Sequence, residues 1–222
     1  MKAGVLVFPG SNCDRDLADA FKKAGAQVEM IWHKETALPS GLDVIGVPGG
    51  FSFGDYLRCG AIAANSPICR SLVKFAKDGG YVLGICNGFQ ILTETGLLPG
   101  ALMQNAGIKF LGKTVTLSVT TTDSAFTCKY RPQQEIDIPI AHHEGNYTVA
   151  AEELHALRQE DRIAFTYRDN PNGAIDNIAG VLSQNRRILG MMPHPERAID
   201  NLMGPPDGKP FFAGLVTQFV SA

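Results

Sequence analysis

The twelve residues Tyr81-Val82-Leu83-Gly84-Ile85-Cys86-Asn87-Gly88-Phe89-Gln90-Ile91-Leu92 pass from a short apolar run into a helical pattern through a single cysteine set between two glycines. An apolar run of this length ahead of Gly-x-Cys-x-Gly predicts a strand, a sharp bend and a helix, the turn on which a nucleophile is displayed at the edge of a sheet. Glycine on both sides lets the backbone bend and lets a substrate come close. Amides at the start of the helix favour a thiolate, so Cys86 is expected to be partly ionised near neutral pH. The plainer alternative is a small buried hydrophobe. That role is expected for Cys13, Cys59, Cys69 and Cys128, which have no CxxC spacing and indicate neither a disulfide framework nor a zinc site.

Outward from this turn the chain alternates. Val5 to Phe8 predicts a strand, and Leu17, Ala20, Phe21 and Ala24 recur at helical spacing before Gly25. Val28 to Trp32 and Val44 to Val47 predict strands, and Ile68, Leu72, Phe75 and Ala76 a helix. From Thr114 to Tyr147 β-branched runs replace helical periodicity, which predicts an antiparallel or mixed extension. A helix over Ala151 to Arg158 follows, then strands over Arg162 to Tyr167, Ile178 to Leu182 and Ile188 to Met192. Phe212, Leu215, Val216 and Phe219 mark a closing helix. This order predicts an α/β fold with a doubly wound, mostly parallel sheet, formed as one domain over residues 1–222. Ligands of such sheets bind at the carboxyl ends of the strands.

One of those ends carries Met192-Pro193-His194-Pro195-Glu196. Pro195 keeps His194 out of the helical region, and in extended chain Glu196 faces the same side as His194. A carboxylate on one ring nitrogen fixes the tautomer and leaves the other to take a thiol proton. Alone, Pro-His-Pro-Glu reads better as a turn ahead of a helix, with Glu196 favouring that helix's N-terminus. With Cys86 it supplies the nucleophile, base and orienting group of acyl transfer.

Other chemistries receive less support. A net charge of -2 offers no basic field for nucleic acid. The apolar run near Met1 is too short for a signal segment or a membrane span, so a cytoplasmic protein is expected. His142-His143-Glu144 invites a metal-site reading, but adjacent side chains diverge in extended chain, and no metal is expected. Gly107 to Thr114 matches the G-x-x-x-x-G-K-[ST] pattern, yet its lysine leads into Val115-Thr116-Leu117-Ser118-Val119, a strand pattern rather than the helix a phosphate loop needs.

Gly84 to Gln90 together with Pro193 to Glu196 resembles the class I glutamine amidotransferases, whose signature is a GxCxGxQ turn and a late His-x-Glu. Pro48 to Arg58, Asn170 to Gly173, Ile178 to Gly180 and Gly190 to Arg197 resemble the branch of that family serving purine biosynthesis. The resemblance implies a flavodoxin-like sheet, a Cys86, His194 and Glu196 triad, and oxyanion donors in the backbone amides of Gly50 and Asn87. It also implies a glutamine pocket lined by Gln90, and a segment His142 to Asn146, including Glu144, that closes over glutamine. His143 stands where the family more often carries glycine. The implied activity is hydrolysis of glutamine to glutamate and ammonia through a γ-glutamyl thioester, with no metal or organic cofactor in this chain. The ammonia would pass to a large ATP-dependent synthetase subunit acting on formylglycinamide ribonucleotide, joined by a small third subunit, with ATP and Mg on the synthetase.

Three alternatives remain at this point. One is another cysteine hydrolase, such as a peptidase, deglycase or γ-glutamyl hydrolase. Another is a flavodoxin-like binding module that uses Pro9-Gly10-Ser11-Asn12 as an anion loop. The third is an inactive scaffold that only binds a synthetase.

Overall fold

The computed structural model describes residues 1–55, 59–202 and 204–220. Tyr56, Leu57 and Arg58, which end the Pro48 to Arg58 stretch, lie outside the described residues. In chain order the strands are β1 (Lys2–Val7), β2 (Gln27–Trp32), β3 (Val44–Val47), β4 (Tyr81–Ile85), β5 (Ala101–Met103), β6 (Leu111–Val119), β7 (Glu135–His142), β8 (Asn146–Thr148), β9 (Ile163–Tyr167), β10 (Ile178–Leu182) and β11 (Ile188–Met191). The helices are α1 (Asp14–Lys23), α2 (Cys59–Ala64), α3 (Pro67–Lys77), α4 (Asn87–Glu94), α5 (Ala151–Gln159) and α6 (Lys209–Val220).

Nine strands form one sheet in the order β2-β1-β3-β4-β11-β10-β9-β6-β7, and β5 pairs with β8 in a small second sheet. The first five strands run parallel. From β11 onward every pairing is antiparallel, which is the expected extension. Burial follows from this division. All four residues of β3 and of β11 and all five of β10 are buried, as in strands covered on both faces. In β7 the pattern alternates, with Ile136, Ile138, Ile140 and His142 inward, as in a sheet with one wet face.

Two glycines locate the covering helices. A Cβ on Gly46 would lie 2.7 Å from Leu17 of α1, and a Cβ on Gly84 would lie 2.5 Å from Leu92 of α4. Gly84 pairs with Val47, the neighbour of Gly46. Successive residues face opposite ways, so α1 and α4 cover opposite faces of the sheet. Phe21 and Phe212 meet edge to face at 5.5 Å and pack α6 beside α1.

Most elements form where periodicity predicts them, and α2, β5 and a 3-10 turn at Ser52–Asp55 are additional. The Gly107 to Thr114 match enters β6 rather than a helix, with Lys113 paired to Ile140, so no phosphate-cradling helix start exists there. No helix among the described residues is long and apolar enough to cross a membrane.

The tightest backbone approach is at Gly88, where an added Cβ would fall 1.9 Å from the Val47 carbonyl oxygen. Gly88→Ala is expected to lower the unfolding free energy by about 2 to 3 kcal/mol. At Gly107 an added carbon meets open space, and Gly107→Ala is expected to stay within about 0.5 kcal/mol of the parent chain. Urea unfolding followed by circular dichroism reads both.

Candidate active site

Cys86 sits between β4 and α4 with φ 53° and ψ -109°, a backbone region that non-glycine residues rarely occupy. Its N–H donates to the Met191 carbonyl at 2.8 Å, and its own carbonyl accepts the Gln90 N–H at 3.2 Å. The bend is therefore pinned to β11 on one side and to the first turn of α4 on the other. The flanking glycines serve this bend through packing. A Cβ on Gly84 would approach the Gly88 carbonyl oxygen at 2.7 Å, and one on Gly88 would meet Val47. The left-handed residue is the cysteine itself, and the glycines permit its bend by leaving room around it.

His194 follows β11, which neighbours β4 in the sheet. Its N–H donates to the Pro139 carbonyl of β7 at 2.8 Å. Its Nδ1 lies 2.7 Å from Glu196 Oε1, with both side chains buried. The segment is not extended as expected, since Pro195–Arg197 forms a 3-10 turn, and the turn swings Glu196 back onto the ring. A carboxylate accepts only, so the Nδ1 position carries the hydrogen and Nε2 is left as an acceptor. Nε2 is buried and has no hydrogen-bond partner among the described residues. Cys86 and His194 press on the same glycine. A Cβ on Gly49 would lie 2.8 Å from Cys86 Cβ and 3.0 Å from His194 Cε1.

Burial pushes the Cys86 thiol well above its ordinary pKa, with the nearby carboxylates of Asp55 and Glu196 adding to it and the Asn87 backbone N–H opposing. Partial ionisation of free Cys86 near neutral pH is therefore corrected. One helix-terminal amide does not offset the loss of solvent around a sulfur that is 3% exposed. The thiol donates weakly to the Ala141 carbonyl at 3.6 Å.

The remaining expected residues gather around this core. Gly50 occupies the loop after β3 at φ 86°, where a Cβ would fall 2.0 Å from Asn12 Oδ1, so only glycine fits. The Asn87 side chain accepts the Ser52 N–H at 3.1 Å and donates to Asp55 at 2.9 Å and to Gln90 Oε1 at 3.0 Å. Gln90 in turn donates to the Glu144 carbonyl at 3.0 Å, tying α4 to the His142 to Asn146 segment. Gln90 and Glu144 line a cavity of about 670 Å³ together with Gly60, Thr93, Leu102 and Gln104. Partial burial and the nearby Asp55 raise the Glu144 carboxyl. His142 and His143 do not act together. His142 is buried on Asn105 Oδ1 at 3.0 Å and lowered to about 4, first by desolvation and then by His194, whereas His143 stacks edge to face on Phe110 at 5.1 Å.

Several neighbours were missed. Cys13 was expected to be an inert hydrophobe. It is buried, but its sulfur and one donor atom each of His194 and Glu196 lie within 4.8 Å of one another, and burial raises its thiol to about 12. Cys59 donates to Gln90 Oε1 at 3.1 Å. Cys69 fits the plain reading, whereas Cys128 is exposed, contrary to it. The Pro9 to Asn12 loop directs its donors inward. The Ser11 hydroxyl goes to the Gly49 carbonyl at 2.9 Å and the Asn12 N–H to the Gly50 carbonyl at 3.0 Å, which leaves a poor anion cradle. The rule that sites form at strand carboxyl ends, applied to β1 as well as β3, was the signal that could have found this loop.

Comparison with known proteins agrees with this geometry. The chain is 65% identical over 216 residues to phosphoribosylformylglycinamidine synthase subunit PurQ of Cereibacter sphaeroides, covering 97% of each chain. It is 66% identical over 215 residues to the protein of the same name from Roseobacter denitrificans, again covering 97% of each. Among solved structures it matches a chain in the structure of PurLQS from Thermotoga maritima, with TM-score 0.90, 41% identity and 98% of both chains covered. Residues 1–210 match the CobB/CobQ-like glutamine amidotransferase domain, and the chain belongs to that family.

Proposed function

We propose that this chain is the glutaminase subunit of a phosphoribosylformylglycinamidine synthase. The observation that carries the reading is a cysteine held on a left-handed strand-to-helix bend, facing across Gly49 a histidine whose Nδ1 is held by Glu196 and whose Nε2 has no partner among the described residues.

In this reading Cys86 attacks the side-chain amide carbon of glutamine while His194 Nε2 takes the thiol proton. The tetrahedral oxyanion is met by the backbone amides of Gly50 and Asn87, each donor of this kind being worth about 2.7 to 4 kcal/mol. His194 then gives that proton to the amide nitrogen as the C–N bond breaks, releasing ammonia and leaving a γ-glutamyl thioester on Cys86. Water deprotonated by the same nitrogen hydrolyses the thioester to glutamate and regenerates the thiol. Gln90 and Glu144 border the glutamine pocket. The chemistry uses no metal or organic cofactor in this chain.

Ammonia is protonated in water and stops being a nucleophile, so it must pass directly to a partner. In this reading the partner is a large synthetase subunit, holding ATP and Mg, that converts formylglycinamide ribonucleotide to formylglycinamidine ribonucleotide in the cytoplasm with a small third subunit. The synthase named for the relatives and the PurLQS structure support a synthetase partner.

Glutamate release from glutamine is expected from the chain with its synthetase, ATP and formylglycinamide ribonucleotide, and is expected to vanish in Cys86→Ala. Release that persists in Cys86→Ala sinks the assignment. Glu196→Gln is expected to cut kcat by about 10² to 10⁴-fold, because an amide that donates toward Nδ1 favours the wrong tautomer. A steady-state assay that finds kcat unchanged removes Glu196 from the mechanism.

A further inference from the structure

We propose that Ser11 is a positioning residue for the oxyanion site, its hydroxyl fixing the peptide plane that carries the Gly50 N–H. The inference rests on the reading of Gly50 as an oxyanion donor.

The peptide joining Gly49 to Gly50 lies between two residues without side chains, so its rotation meets little steric resistance. Its orientation decides where the Gly50 N–H points. A trans peptide sets its C=O and N–H in opposite directions in one plane, and no cis bond occurs among the described residues. Whatever holds the Gly49 carbonyl therefore aims the Gly50 N–H. The Ser11 hydroxyl donates to that carbonyl at 2.9 Å. The next carbonyl, that of Gly50, is held by the Asn12 N–H at 3.0 Å. A third bond, from the Phe53 N–H to the Pro9 carbonyl at 2.7 Å, closes the loop after β1 onto the loop after β3.

Ser11 meets the carbonyl side of the plane, opposite to the N–H, so it acts on the donor without meeting the substrate. Of the three bonds, its own is the only one made by a side chain, and so the one a substitution can remove while the backbone clamp stays. Donation into the carbonyl also polarises the amide and strengthens its N–H as a donor. Gly49 itself cannot change without meeting Cys86 and His194, which leaves the control of this plane to the neighbouring loop.

The test uses the assembled complex with synthetase, ATP and formylglycinamide ribonucleotide. Ser11→Ala is expected to lower kcat for glutamate release at least ten-fold with KM within two-fold, and Ser11→Thr, which keeps the hydroxyl, to restore kcat to within about three-fold of the parent. Alkylation of Cys86 by iodoacetamide, a displacement at saturated carbon that forms no oxyanion, is expected to proceed at the parent rate in Ser11→Ala. A Ser11→Ala kcat within two-fold of the parent, beside an inactive Cys86→Ala, overturns the role of Ser11 and leaves the glutaminase reading standing. Alkylation that falls in step with kcat also overturns it, since the damage would then be to the site as a whole. Absence of Cys86-dependent release in the parent complex overturns the glutaminase reading, and this inference with it.

Discussion

The left-handed backbone of Cys86 is the constraint on which the rest of the site depends. A non-glycine residue at φ 53° and ψ -109° costs about 1 to 3 kcal/mol and persists only where its surroundings over-determine it. Here β4 enters the bend from the middle of the parallel strands, with its last four residues buried, and α4 leaves it packed against β3, β4 and β11. The close approach of Gly84 and Gly88 leaves the chain no room to relax into an ordinary turn. Strain at Cys86 is therefore held by a buried strand and the helix packed over it, so the sheet, not a loop, decides where the sulfur lies.

Parallel strands bring the other groups to the same place because they all end on one side of the sheet. β11 and β3 flank β4, and β1 lies beyond β3. Their following loops deliver His194, Gly49 with Gly50, and Ser11 in that spatial order. The antiparallel extension adds a second wall. Pro139 and Ala141 of β7 receive the His194 N–H and the Cys86 thiol, and the segment beyond β7 reaches Gln90. The extension is thus part of the site, closing the side that the parallel half leaves open.

How much of this was legible in the sequence follows from which features are local. The strand-turn-helix around Cys86 and the His194-x-Glu196 pair carry their signal within a few residues, and both were readable. So were the central buried strands, whose continuous apolar runs in Val44 to Val47 and Ile178 to Leu182 leave no other pattern. Cys59–Ala64 was missed because Gly-Ala-Ile-Ala-Ala offers small residues and no apolar stripe, so its helix rests on packing against α4. Cys13 was misread for a different reason. Its placement beside His194 and Glu196 spans some 180 positions of chain and depends on α1 covering one face of the sheet, which no local pattern encodes. The ionisation of Cys86 was misjudged because a helix start can be read from sequence, whereas the depth of burial opposing it cannot.

In the proposed glutaminase reading, that burial decides how Cys86 is activated. Around Cys86 desolvation works against negative charge, the carboxylates of Asp55 and Glu196 add to that opposition, and one Asn87 N–H works the other way. A resting thiolate is thus disfavoured, and lowering the thiol pKa by a helix terminus alone is not a route this site provides. Proton transfer to His194 Nε2 is different in kind, because it creates thiolate and imidazolium side by side. In a dry pocket that pair is weakly screened, and the imidazolium already has Glu196 at 2.7 Å. In the proposed reading the sulfur's new electron pair goes to the carbon of the bound amide as the proton moves to Nε2. The thiolate is the form that reacts with oxidants and electrophiles, so a thiol held protonated by burial reacts with them more slowly than an exposed thiolate would, and in the proposed reading reaches full reactivity when the substrate carbonyl lies against the Gly50 and Asn87 amides.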